Sequence, residues 1–220
     1  KAVPGIEVFG GITLNLSVGG MNPFVVEHMA SVTGGWGRFV WMGSFDTEQQ
    51  VTYDRASRPC VRISCGHQLL PETARVLDAI AKYKLVLATG HSTPEEDLLL
   101  IREARKRGIA HIVVTHAMMA PIHMRLDQMK EAADLGAYVE FVYNGLIGPH
   151  KEFDLADYAA AIQSLSPEFC ILASDLGQAV NPPHTEGLLA FFDGLRERGI
   201  PQSAIDRMSK ENPARLLELE

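Results

Sequence analysis

Residues 85–91 read LVLATGH, an apolar run that ends in a threonine, a glycine and a histidine. Ser92, Thr93 and Pro94 follow, supplying N-cap hydroxyls and a proline suited to the first helical turn. A buried strand that hands over to a helix through a short polar turn is the repeating piece of a parallel α/β fold with right-handed crossovers. The pattern recurs outward in both directions. Short β-branched or aromatic runs predict strands at residues 6–14, 38–43, 84–89, 110–115, 138–143 and 169–173. Between them, apolar residues at helical spacing predict helices at 71–83, 94–107, 124–135, 154–165 and 186–198, the last with Leu188, Phe191, Phe192 and Leu195 on one face. Gly108, Gly136 and Gly199 each stand where a helix should end. Residues 47–70 break the rhythm. They are polar, hold Pro59 and two cysteines, and read as a long loop or excursion with a short strand near 61–64. The expected architecture is α/β, either an open doubly wound sheet or a closed barrel.

Composition narrows the function. The 220 residues are 46% hydrophobic, enough to bury a sizeable core in one domain, or at most two small ones. A formal charge of −7 with scattered Lys and Arg argues against nucleic acid or an anionic membrane surface as partner. No apolar run approaches the roughly 18 residues of a membrane span, and the first twenty residues lack a secretory pattern. Three cysteines, Cys60, Cys65 and Cys170, cannot all pair, which fits a reducing, cytoplasmic setting.

The strand ends carry the chemistry, because parallel α/β folds bind ligands in loops beyond the carboxyl ends of their strands. The 84–89 strand runs into His91, the 110–115 strand into His116, and the 169–173 strand into Ser174 and Asp175. The 138–143 strand holds Glu140 and runs into Asn144. Two imidazoles and a carboxylate from three strands offer the nitrogen and oxygen donors that a borderline divalent cation takes.

LVLATGH (85–91), HIVVTH (111–116), ILASD (171–175) and ENPARLLELE (211–220) resemble the amidohydrolase superfamily of metal-dependent hydrolases. The resemblance covers residues 70–220 well and extends more loosely upstream, where GIEVFGGITLN (5–15), and NPP after SDLGQ further on, resemble an uncharacterised branch. It implies a (β/α)8 TIM barrel with His91 as fifth-strand ligand, His116 as sixth-strand ligand and Asp175 as eighth-strand acid. That superfamily also carries a His-x-His pair on its first strand and often a bridging Lys or Glu on its fourth. Here no His-x-His occurs, and Trp41-Met42 occupies the corresponding fourth-strand stretch. About six βα units of an incomplete, N-terminally truncated single barrel domain are therefore expected, with either further sequence upstream of Lys1 or a reduced metal site. An oligomer contact or partner fragment would cover the open sheet edges.

The resemblance implies a divalent metal, zinc with manganese as the alternative, and hydrolysis of an amide, lactone or ester of a small-molecule substrate. Asp175 would hold the metal and serve as general base and then acid. Glu140, Gln178, Asn181 and His184 are candidate substrate contacts, Glu140 with a helix salt bridge as its rival role. His28 and His111 read as structural, and His67, His123 and His150 as loop residues without a matching partner. Cys60, Cys65 and His67 give only three donors for a structural zinc. The competing reading is a catalytically inactive barrel used for binding or as a scaffold. A nucleotide-binding sheet would need a glycine-rich turn, and SVGGMN (17–22) lacks the G-x-G-x-x-G spacing.

Overall fold

The computed structural model describes residue 5 and residues 7–219; Ile6, the first residue of the expected 6–14 strand, lies outside them, as does Glu220. The chain divides into two compact units, Lys1–Ile112 and Val113–Glu220.

In chain order the first unit holds β1 (Gly10–Thr13), α1 (Pro23–Ser31), β2 (Gly37–Trp41), α2 (Glu48–Tyr53), the two-residue strands β3 (Ser64–Cys65) and β4 (Gln68–Leu69), α3 (Pro71–Lys82), β5 (Val86–Ala88) and α4 (Pro94–Lys106). β1 pairs with β2 and β2 with β5, both parallel. All three residues of β5 are buried, as a strand with both faces covered requires. Val40 and Leu87 on the strands and Leu77, Ile80, Leu100 and Ile101 on the helices are each fully buried, each contributing about 1.5–3 kcal/mol by leaving water. Thr93 caps α4 as expected: its hydroxyl accepts from the Glu96 N–H at 3.2 Å, and Glu96 accepts from the Thr93 N–H in return. The 47–70 stretch corrects the expected long loop. It contains α2, and near the expected 61–64 strand Val61 makes a parallel bridge to Thr47 while β3, which begins at Ser64, forms an antiparallel hairpin with β4.

The second unit follows with the end of β6 (Ile112–Val114), α5 (Leu126–Asp134), β7 (Tyr138–Val142), α6 (Leu155–Leu165), β8 (Cys170–Ala173), α7 (His184–Glu197), α8 (Gln202–Asp206), one π turn (Arg207–Glu211) and α9 (Asn212–Leu216). β7 pairs parallel with both β6 and β8. The core here is aromatic: Phe141, Tyr158 and Phe191 are buried, with ring centroids 5.3 Å apart for Phe141 and Tyr158 and 6.1 Å for Tyr158 and Phe191. Asn212, also fully buried, donates through Nδ2 to the carbonyls of Pro167 (2.8 Å) and Cys170 (2.7 Å). It thereby satisfies acceptors at the entry to β8 that the sheet leaves over.

The main sheet has six strands in the order β1-β2-β5-β6-β7-β8. Six parallel strands alternating with helices are the expected βα units, a partial (β/α) barrel. The strand cores fall inside the predicted stretches, except that β2 starts one residue early at Gly37, and all are shorter, most of all β1, four residues within the nine of 6–14.

Candidate active site

β6 and β8 are each followed by a hydroxyl residue, Thr115 or Ser174, and then by a titratable residue in an unusual conformation. His116 has φ 24° and Asp175 has φ 49°, in the left-handed region that side chains disfavour. Such a backbone costs of order 1–3 kcal/mol per residue and is retained where the surroundings hold it. β7 lies between the two strands; β7 itself touches His116, and the turn just past it touches Asp175. Glu140 Oε2 accepts the His116 backbone N–H at 3.0 Å, and the Glu140 carbonyl accepts that of Ala117 at 3.3 Å. Just past β7, Asn144 donates through Nδ2 to Asp175 Oδ2 at 3.2 Å, and its own N–H donates to the Ser174 carbonyl at 3.1 Å. Asn181 then donates to Asn144 Oδ1 at 3.0 Å and to Gln178 Oε1 at 2.5 Å. Ser174 Oγ meets His184 Nδ1 at 3.0 Å.

The electrostatics mark the same residues. Desolvation is the leading cause that pushes Glu140 up to about 7, with the nearby Asp175 charge adding to it and the His116 N–H opposing it. Some Glu140 surface stays open to solvent, yet its carboxyl is surrounded. Burial lowers the His116 pKa, against the pull of Asp175 and Glu152, so the ring is held neutral, the form that ligates a cation. Buried Tyr158 is raised by desolvation first and then by Glu152, Glu140 and Asp175. Carboxyls and an imidazole thus influence one another across β6, β7 and β8, which is how functional sites differ from lone buried acids.

His91 belongs to the first unit. Gly90 before it has φ 73°, and a Cβ there would run into the Gly43 carbonyl oxygen. Only glycine lets β5 turn so close to the chain leaving β2. The His91 N–H donates to Gly43 O at 3.0 Å, and its carbonyl accepts from Thr47 Oγ1 at 2.7 Å. The ring's Nδ1 sits 2.7 Å from Gln50 Oε1. Gln50 Nε2 donates to Asp54 Oδ1 at 2.8 Å, and since a carboxylate only accepts, the amide oxygen must face His91. Nδ1 therefore carries the proton and Nε2 the basic lone pair. Phe45 packs edge-on against the ring, with centroids 6.1 Å apart.

Several histidines take the places expected of them. His28 lies on α1, and the carbonyl of His111, just ahead of β6, accepts from Leu87 N at 2.9 Å. His123 corrects the expectation that it has no partner: its Nε2 lies 2.7 Å from Glu152 Oε2. Glu140 engages the His116 N–H rather than a helix cation. Cys60, Cys65 and Cys170 are free thiols. The donor types at the strand ends, neutral imidazole and carboxylate, suit a borderline divalent cation. Among the described residues, however, no group of three His, Cys, Asp or Glu side chains is assembled to hold a metal ion.

Residues 1–140 match the family described as a family of unknown function, DUF6282. The chain belongs to the DUF6282 family. No curated protein sequence matches this DUF6282 chain. Its fold is similar to that of solved amidohydrolase-type enzymes. One is an amidohydrolase from Pseudomonas aeruginosa, with TM-score 0.62, 12% identity, and 88% of this chain matched to 67% of that one. The organophosphorus hydrolase from Deinococcus radiodurans gives 0.58 and 16%, covering 92% of this chain and 64% of its own. A metallo peptidase from Rhodobacter sphaeroides, liganded with a phosphinate mimic of the dipeptide L-Ala-D-Ala, gives 0.58 and 14%, covering 83% and 56%. The DUF6282 chain thus spans between 56% and 67% of the length of these three structures. At such identities the likeness is one of fold.

Proposed function

We propose that this DUF6282 protein is a metal-dependent hydrolase of small molecules, acting on an amide, lactone or ester bond. The observation that carries the reading is the pair of strand-end residues, His116 and Asp175, each in a left-handed backbone, the first braced by Glu140 on β7 and the second by Asn144 just past it. Strain of this kind points toward function when chemistry-bearing groups bear it. The fold likeness to hydrolases supports the same reading.

His116 and Asp175 would hold the divalent ion, zinc first and manganese second. When bound, such an ion supplies Lewis acidity and a water acidic enough to react near neutral pH. Asp175, exposed at its strand end, accepts the water proton and returns it to the leaving group. Asn144 holds Asp175 Oδ2. Gln178 and Asn181, linked to Asn144, and His184, paired with Ser174, line the approach as substrate contacts. The test is elemental analysis beside hydrolysis assays on lactone, amide and phosphoester panels after zinc or manganese is restored. Metal taken up in proportion to protein, with turnover on one class, supports the proposal. A protein that takes up metal and turns over no class is a binding scaffold.

A further inference from the structure

The geometry points to Glu140 and Asn144 as positioning residues that fix the conformations of His116 and Asp175, so that β7 sets the alignment of the two strand ends beside it. This rests on the reading of His116 and Asp175 as cation-binding residues, and it moves Glu140 from substrate contact to positioning residue. Glu140 grips the turn after β6 at two successive N–H groups, its side chain taking that of His116 at 3.0 Å and its carbonyl that of Ala117 at 3.3 Å. A residue at φ 24° has no steric reason to stay there, and the Glu140 side chain supplies a different one, because its oxygen gives the His116 N–H an acceptor at 3.0 Å. Asn144 does the corresponding work after β8. Its amide nitrogen holds Asp175 Oδ2, its oxygen is committed to Asn181, and its backbone N–H holds the Ser174 carbonyl. With both ends of the amide engaged, Asn144 cannot flip, so only one Asp175 oxygen is bound by it and the other remains for chemistry.

The experiment uses the whole chain and three variants, E140L, E140Q and N144A, with zinc alone as the probe. Amide hydrogen exchange at His116, followed by NMR without metal, should speed about tenfold in E140L, which has lost the acceptor, and stay near wild type in E140Q, which keeps one. Zinc Kd should weaken about 10- to 100-fold in E140L and N144A, with E140Q restoring affinity. A merely structural Glu140 would change the melting temperature and leave the zinc Kd of the folded protein unmoved. The proposal is overturned if E140L keeps both its His116 protection and its zinc affinity, or, should E140L not fold, if N144A binds zinc as wild type does. If wild type itself takes up no zinc, the cation reading falls, and the exchange rates alone decide whether Glu140 clamps the turn.

Discussion

Among the described residues, desolvation raises one carboxyl in each unit, Asp97 and Glu140, and the two lead different lives. Asp97, in the first turn of α4, is completely buried, and desolvation pushes its pKa well above the ordinary value, with the Thr89 side chain opposing and the charges of Glu96 and Glu95 adding. Those two glutamates are its neighbours on the same helix turn. Glu140 instead faces a second carboxylate and a strained histidine from adjoining strands. A perturbed acid by itself therefore says little about chemistry. An acid whose perturbation comes partly from partners on separate strands, at their ligand-binding ends, says much more.

The sharpest way to break this contrast is at Asp175. D175N should lower hydrolysis by about 10²- to 10⁴-fold, the range for a lost general base, with a zinc Kd weakened at least as far as in N144A because a ligand is lost; D97N should leave turnover within a few-fold. Equal losses in the two variants would erase the distinction between the acids. The cores differ as well, aromatic in the second unit and aliphatic in the first. F191A should cost about 3–5 kcal/mol and I80A about 2–5 kcal/mol in denaturant unfolding, and a smaller loss for F191A would mean that the aromatic cluster can collapse into the gap.

The pH dependence sharpens the comparison further. Both acids have folded-state pKa values raised above their unfolded ones. Their stabilising contribution is then complete at low pH and is lost as pH rises, for Glu140 across the interval from its ordinary value of 4.5 to about 7. Metal-free E140Q should flatten that fall by up to about 3 kcal/mol, and D97N should flatten its own, read from denaturation midpoints between pH 4 and 8. The smallest effect lies at a helix end: T93A removes half of the α4 capping box and should cost about 1 kcal/mol in unfolding free energy.

Apolar runs told where the strands and long helices lie, because burial on both faces of a parallel sheet leaves a continuous hydrophobic record. Where the record is polar, it misled. α2, of sequence EQQVTY, buries only Val51 and so shows no apolar stripe, although Thr47 followed three residues later by Gln50 is a helix-start pattern that could have revealed it. The Thr47 side chain does accept the Gln50 N–H, while the Gln50 side chain goes to His91, a use that no spacing rule announces. His116 and Asp175 were legible from strand ends. Their supports were not: Asn144 was visible only as the residue after a strand, and Glu140 could be placed on a strand without revealing which N–H it would meet. Long-range hydrogen bonds of this kind depend on register between strands, which local sequence does not encode.

Asn212 has a consequence for the lifetime of the protein. Its two amide hydrogens tie the end of the chain to the entry of β8, and conversion to aspartate would set a carboxylate against two carbonyl oxygens. The common ageing route of asparagine runs through attack by the next residue's backbone nitrogen on the side-chain amide. Here that residue is Pro213, whose nitrogen carries no hydrogen to surrender. The clasp on which the last helix depends is built at a position where this form of chemical wear cannot start.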